Sequence, residues 1–322
     1  TCQMTSSRPV IGSVRSTLGL GFIHTCLMGI YVGAPTYLVS PVDFAQNPLS
    51  LFLTLARYKI KDTYATAQML DYAMSIMPAK GFQLQELKNL MISADGRPRP
   101  DICKFLRSSQ FCGPILMKCI DDKVRLHFSS ASLDPTAINI VYSHVLNPMV
   151  VTRSYMCIAP INLWLDLRSL RRGLVCPVDP EAEPSALHLQ DSGMVPVNTQ
   201  ISIVNPETCT LCHVGEYGEI WIQSDACAKS FYGSKQEFDL ERFNGRIIDG
   251  DPNVPYVRTG DLGFLHTVTR PIGPGGQPVE MQVLFVLGSI GETFEVNGLN
   301  HFPVDIENSV EKCHRNIMPG GW

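Results

Sequence analysis

The chain has 322 residues, enough for one large domain or two, and a composition of 45% hydrophobic and 17% charged residues excludes disorder as its main state. A formal net charge of −4 leaves no basic footprint, which argues against nucleic acid as a partner. Eleven cysteines without a disulfide-framework spacing fit reduced thiols and a cytoplasmic setting.

The first residue is Thr1 rather than Met and no signal peptide follows, so the chain reads as part of a longer protein. Leu18–Val39 is the only membrane candidate, because it carries no Lys, Arg, Asp or Glu. Gly33-Ala34-Pro35 splits it, so a buried helix over Gly19–Val32 and a buried strand over Thr36–Val39 are expected in place of a membrane span. His24 within it reads as a core histidine. Ser40-Pro41 breaks the run. Asn47-Pro48 then offers an N-cap with proline at the first helical position, and Leu49, Phe52, Leu53 and Ala56 recur at helical spacing. Asp62–Thr66 reads as a short strand and Gln68–Met77 as a second helix. Leu84, Leu87 and Leu90 begin a third helix that runs into Leu90–Ala94, of which Leu90–Ser93 also reads as a strand. Ile138–Val141 is a further strand.

Strands alternating with helices point to an α/β fold, with a partly parallel sheet covered by helices. Ligands then sit beyond the carboxyl ends of the strands. Two loops fall there: Ser93–Pro98, containing Ala94, Asp95 and Gly96, and Tyr142-Ser143-His144. From about Met194 the texture changes to antiparallel β, with alternation over Val195–Val204 and Gly218–Ile222. Val283–Leu287 is a strand before Gly288. Val304–His314 reads as a helix with Ile306, Val310 and Cys313 on one face.

Within the β-rich part, Val257–Leu265 reads Val-Arg-Thr-Gly-Asp-Leu-Gly-Phe-Leu. Gly260-Asp261 between two strand-like segments is first a turn signal, because Gly accepts positive φ and Asp bonds nearby backbone. The sharper reading gives Asp261 a chemical role. Three other motifs carry less. Cys209–His213 has the C-x-x-C-H form, but a connection between strands explains it better than haem or zinc. Gly273–Gly276 lacks the Lys-Ser/Thr of a phosphate loop. The basic cluster at Arg168–Arg172 reads as solvated surface.

Together these pieces resemble the adenylate-forming superfamily. Within it they are most similar to fatty-acyl-AMP ligases, and particularly to the ligase-like domains of the disco-interacting protein 2 family and its fungal CPS-type relatives. The matching text is Tyr58–Tyr64, Asn205–Thr208, Gly218–Ile222, Arg258–Leu265 and Asn300–Glu307, and it spans nearly the whole chain. The resemblance implies a large domain without its phosphate loop (1–193 as the α/β part, 194–291 as the β-rich part). Residues 292–322 would hold the hinge and the start of a small C-terminal domain. It implies ATP or AMP as cofactor, a fatty or other carboxylic acid as substrate, and other domains of the same chain as partners.

Residue by residue, Asp261 matches the carboxylate that accepts both ribose hydroxyls, and Tyr142 the aromatic beside adenine. Ser143 follows that aromatic, Ala94-Asp95-Gly96 match the loop on adenine's other side, and Glu292 sits at the hinge. The departures are specific. The glutamate that helps hold magnesium in intact relatives falls at Leu146, which offers no oxygen to a hard cation. The arginine expected after Gly288 is Ser289, and the next basic position is Gly291. The aromatic-His-Asp stretch near the acyl pocket reads Arg15-Ser16-Thr17. One preorganised charge-stabilising group typically contributes about 3–4 kcal/mol to lowering the barrier. This chain alone is expected to be inactive, because the phosphate loop and most of the small domain that the resemblance implies are missing from it. Two readings of the longer protein stay open, an acyl-AMP ligase and a degenerate module that binds a nucleotide, acyl ligand or protein without turnover. A purely structural module is a third.

Overall fold

A computed structural model describes residues 5–13, 19–98, 100–102, 117–156, 158, 160–183, 185–233, 236–271, 275–314 and 317. The chain forms two compact units: residues 1–95, 118–159 and 269–280, and residues 96–117, 160–268 and 281–322.

The first unit is a mixed sheet with helices. Its strands are β1 (Val10–Gly12), β2 (Thr36–Leu38), β3 (Asp62–Thr66) and β4 (Asn89–Ala94), then β7 (Ile138–His144) and β8 (Asn147–Thr152). Two short strands, β5 (Pro100–Ile102) and β6 (Met117–Cys119), lie between β4 and β7 in the chain. The order is β8-β7-β4-β3-β1-β2, parallel throughout except for the antiparallel β7–β8 pair. The first four residues of β3, the first four of β4 and the first six of β7 are buried without alternation, as expected for strands covered on both faces.

The helices of this unit are α1 (Gly19–Phe22), α2 (Met28–Val32), α3 (Pro41–Gln46), α4 (Leu49–Arg57), α5 (Ala67–Ile76) and α6 (Ile120–Phe128). Side-chain acceptors stand at the starts of α4 and α5: Asn47 Oδ1 accepts the Leu49 N–H at 3.2 Å, and Thr66 Oγ1 accepts the Met69 N–H at 3.2 Å. The core gathers Leu51, Phe52, Leu55, Leu70 and Phe128, with the Phe52 ring 4.8 Å from Phe128 and 5.6 Å from Phe82.

Three local expectations change. Gly19–Val32 is helical, with a π-helical turn at Ile23–Leu27, but it is not buried on all sides: Ile30 and Tyr31 are 82% and 88% exposed. Gly29 faces the chain's own interior, where an added Cβ would lie 2.0 Å from Thr36 Oγ1. No described helix is long and apolar enough to cross a membrane. Leu84 and Leu87 do not begin a helix. The Leu84 N–H donates to the Ala131 carbonyl at 2.7 Å, which places both leucines in the core from a turn ahead of β4. The break at Ser40-Pro41 instead starts α3, because Ser40 Oγ accepts the Val42 N–H at 3.2 Å.

The second unit is β-rich. Strands β9 (Asn162–Leu165) and β10 (Leu187–Gln190) form an antiparallel pair. A larger sheet has the order β12-β13-β14-β15-β11, from β11 (Gly193–Met194), β12 (Thr199–Val204), β13 (Gly218–Ser224), β14 (Val257–Pro271) and β15 (Pro278–Ser289). The β12–β13, β13–β14 and β11–β15 pairs are antiparallel. Its core includes Leu262, Phe264, Val283, Phe285, Leu287 and Phe302, with Phe264 and Phe285 stacked at 5.0 Å. The helices are α7 (Leu167–Leu170), α8 (Gln236–Phe243) and α9 (Pro303–Cys313). Before α9, a small hairpin joins β16 (Phe294–Val296) to β17 (Leu299–His301) through Asn297-Gly298, both at positive φ as a tight two-residue turn requires.

Candidate functional site

In the first unit the structure brings Ala94 and Tyr142 together. They are register partners at the carboxyl ends of the parallel strands β4 and β7. Ser93, one residue earlier on β4, hydrogen-bonds the side chains of both Tyr64 and Asp95. Partial desolvation raises the Asp95 carboxyl above its ordinary value, against the lowering effect of Ser93, and burial raises the Tyr64 phenol. Tyr142 and Ser143 are both buried, and Tyr142 presents no open ring face. His144 Nδ1 accepts the Leu146 N–H at 3.2 Å, closing the turn into β8. Leu146 itself is buried. Arg15-Ser16-Thr17 lie outside the described residues.

Asp261 lies in the second unit, and here the local structure differs from a simple turn. Val257–Pro271 is one continuous strand, interrupted by a bulge. Trp221 pairs with Arg258 and Glu219 with Leu262, so a two-residue step on β13 faces a four-residue step on β14. Thr259, Gly260 and Asp261 thus face Ile220 alone, two residues more than a regular ladder holds. Gly260 has φ of 77°, so the positive-φ reading of this glycine holds, inside a strand.

The bulge is held at almost every polar group. Thr259 Oγ1 donates to the Ile220 carbonyl at 2.7 Å and accepts the Asp261 N–H at 3.0 Å. The Gly260 N–H donates to Glu219 Oε1 at 3.0 Å, and the Gly260 carbonyl accepts the Ile290 N–H at 2.8 Å. Glu219 Oε2 takes Arg258 Nε and Nη2, and the Arg258 guanidinium lies over Trp221 at 5.2 Å. Asp261 is 8% exposed, so it sits almost closed off within a firmly held segment. Glu219 was part of the matching text without an assigned role. A carboxylate inside the otherwise apolar run Glu219-Ile-Trp-Ile222 is the signal that could have marked it.

Glu292 is exposed in the turn after β15, where its N–H donates to the Ser289 carbonyl at 3.3 Å. The sequence reading missed Arg97, which follows Gly96. Its guanidinium is buried against Phe302 at 5.2 Å, pairs with Asp305 at the start of α9, and donates from Nε to the Leu287 carbonyl at 2.9 Å. Cys209–His213 is the connection between β12 and β13. Burial pushes the Cys212 thiol up to about 11, away from the thiolate a metal would need.

The donor set at Leu146 does not fit magnesium, because a buried alkyl side chain stands where the ligand oxygen is expected. An ionised carboxylate such as that of Asp261 has two oxygens, the number that two vicinal hydroxyl donors require.

The model for "Disco-interacting protein 2-like, AMP domain" matches residues 291–322. An uncharacterized protein of Schizosaccharomyces pombe is 52% identical over 321 residues, covering 100% of this chain and 20% of that protein. The "Homeostatic regulator of DAG" of Saccharomyces cerevisiae is 35% identical, and human disco-interacting protein 2 homolog B is 27% identical; each match covers 98% of this chain. The alignments cover 20% and 19% of those two proteins, so this chain spans about a fifth of the curated relatives it matches. Among solved structures, a fatty acid AMP ligase from Legionella pneumophila aligns with TM-score 0.69 and 23% identity, over 89% of this chain and 44% of that one. A fatty acyl-adenylate ligase from the same organism, in complex with acyl adenylate and pyrophosphate, aligns with TM-score 0.70 and 23% identity, over 96% and 48%. These likenesses show the fold of an adenylate-forming, fatty-acyl-AMP ligase-like domain, and the family model over 291–322 together with the relatives makes this chain similar to the disco-interacting protein 2 type.

Proposed function

We propose that this chain supplies the adenosine-holding part of an acyl-AMP ligase-like domain, which in the longer protein activates a fatty or other carboxylic acid with ATP. The observation that carries the reading is the held bulge at Thr259–Asp261, which presents one carboxylate from a segment whose backbone is already fixed. Asp261 accepts the two ribose hydroxyls. Ala94, Asp95, Gly96, Tyr142 and Ser143 belong to the adenine side, and binding there requires the covered face of Tyr142 to open. In the activation step a carboxylate oxygen of the acid attacks the α-phosphorus. A new P–O bond forms, the bond to the β-phosphate oxygen breaks, and pyrophosphate leaves with the electron pair. Glu292 serves as the hinge.

A second reading, binding without turnover, is favoured by Leu146 and Ser289, which remove an oxygen ligand and a cation from positions where charge develops on the phosphates. The experiment is carboxylate-dependent ATP–pyrophosphate exchange by the full-length protein, run beside calorimetry with AMP. Exchange that Asp261→Ala abolishes supports activation. AMP binding lost in Asp261→Ala, with no exchange for any acid tried, supports the second reading. No adenine-nucleotide binding at all defeats both.

A further inference from the structure

We propose that Arg242, on α8, is a positioning residue that sets the Asp261 carboxylate for a vicinal diol; this rests on the reading of Asp261 as the ribose acceptor. The group on which it acts is the single peptide joining Thr259 to Gly260. The carbonyl end of that peptide accepts a hydrogen bond from Arg242 Nη2 at 2.6 Å. Its N–H end donates to Glu219 Oε1 at 3.0 Å. One peptide plane is thus clamped at both ends by side chains of opposite charge, and charge-assisted hydrogen bonds are the strong ones.

The clamp matters because of Gly260. Without a Cβ, its backbone accepts either sign of φ at little cost, so the preceding peptide is free to rotate unless something holds it. Here φ is 77° and the guanidinium lies directly over the residue: a Cβ on Gly260 would meet Arg242 Nη1 at 2.9 Å and Nη2 at 3.3 Å. Rotation of the peptide would turn the Thr259 carbonyl away from Arg242 and redirect the chain at Asp261, the next residue. A diol acceptor tolerates little of this, since both carboxylate oxygens must meet hydroxyls whose separation is set by the ribose ring.

Arg242 is itself well supported. Beyond the end of α8, Gly245 and Tyr256 exchange backbone hydrogen bonds at 2.8 Å and 3.0 Å, which fastens the segment after the helix to the residue preceding β14. Phe243 packs edge-on against Phe231 at 5.1 Å, and Glu241 reaches Arg258 at 3.9 Å. The helix and the bulge are therefore tied on both sides of Arg242. Neither the spacing of charged residues on α8 nor the motif at Arg258–Leu265 indicates this contact.

The test compares AMP with 2′,3′-dideoxy-AMP by calorimetry on the full-length protein, for wild type, Arg242→Ala and Arg242→Gln. Wild type is expected to prefer AMP by about tenfold or more, the loss expected when a charge-assisted hydrogen-bonded pair goes unmade. Both variants are expected to bring that ratio toward one while binding dideoxy-AMP about as well as wild type. If both nucleotides weaken equally, Arg242 is only structural and the proposal fails. A wild-type ratio in a folded variant also overturns it, and Arg242→Gln supplies that result where Arg242→Ala does not fold. A wild-type protein that binds AMP without preferring it over the dideoxy form removes the ribose role of Asp261, and Arg242's with it. No binding of either nucleotide defeats the functional reading as a whole.

Discussion

Arg258 donates two hydrogen bonds to one carboxylate oxygen of Glu219, from Nε at 3.1 Å and from Nη2 at 2.9 Å, while the other oxygen of Glu219 holds the Gly260 N–H. Glu219 is 1% exposed, so the pair is closed on the acid side and open to water only through Arg258. Removing the acid leaves a cation and a backbone donor without their partner. Glu219→Ala is expected to lower the unfolding free energy by about 3 kcal/mol, the lower end for a broken buried pair because Arg258 keeps some access to water. Glu219→Gln keeps an acceptor for Gly260 and is expected to cost about half as much. Urea unfolding checks both, with a lower midpoint at unchanged slope. A Glu219→Ala midpoint equal to that of wild type would show that the pair contributes nothing net.

Gly260→Ala follows from the same segment. A left-handed conformation at a residue bearing a Cβ costs about 1–2 kcal/mol, and the new methyl would also displace Arg242 from the Thr259 carbonyl. The two parts are separable. In Arg242→Ala the steric part is already absent, so Gly260→Ala is expected to cost less in that background than in wild type. Equal costs in both backgrounds would show that the guanidinium does not press on Gly260.

Stability is also expected to depend on pH through two buried groups of opposite effect. Desolvation lowers the pKa of His24 from 6.5 to about 4, despite a hydrogen bond to the Ile11 backbone. Unfolding therefore takes up a proton between those values, and stability present above pH 6.5 falls by about 3 kcal/mol as the pH drops to 4. Asp62 works the other way. Desolvation raises its carboxyl above 3.8, outweighing the hydrogen bonds of Tyr155 and Asn89 and the charge of Arg8. Its contribution is fully present below pH 3.8 and is lost as the pH rises through the raised value. Unfolding free energies measured from pH 4 to 7 are expected to vary less in His24→Met and more steeply in Asp62→Asn. A His24→Met profile parallel to wild type would remove His24 as the source.

Much of this architecture is legible in the sequence, and the exceptions share a cause. Asn47 and the apolar runs of β4 and β7 act through neighbours in the chain, so spacing and capping rules find them. The motif around Asp261 is readable for the same reason, as is the conflict between Leu146 and a metal site. Leu84 and Leu87 misled because a helical spacing of leucines is also produced by a turn that the Ala131 carbonyl holds in place from 47 residues away. The exposed Ile30 and Tyr31 show the reverse problem, since apolar character does not tell which face is covered. Arg97, Arg242 and the clamp of Glu219 on Gly260 join residues separated by 208, 17 and 41 positions, and no local pattern announces such pairs.

The pair of Arg97 and Asp305 supports a last prediction. The Arg97 side chain is 2% exposed and that of Asp305 16%, and Arg97 Nη2 has no hydrogen-bond partner among the described residues. Among the described residues the guanidinium is met by Asp305, the Leu287 carbonyl and the face of Phe302. Asp305→Ala would strand the cation and is expected to cost about 3–5 kcal/mol. Arg97→Met fills similar space without charge, so the double variant is expected to be more stable than Asp305→Ala alone. Because Asp305 lies in the first turn of α9, beyond Glu292, the same variant should also loosen that helix. Amide exchange along 303–313 in the full-length protein is expected to accelerate in Asp305→Ala and to slow again in the double variant. Exchange unchanged in Asp305→Ala would mean that other contacts, and not this pair, keep α9 in place.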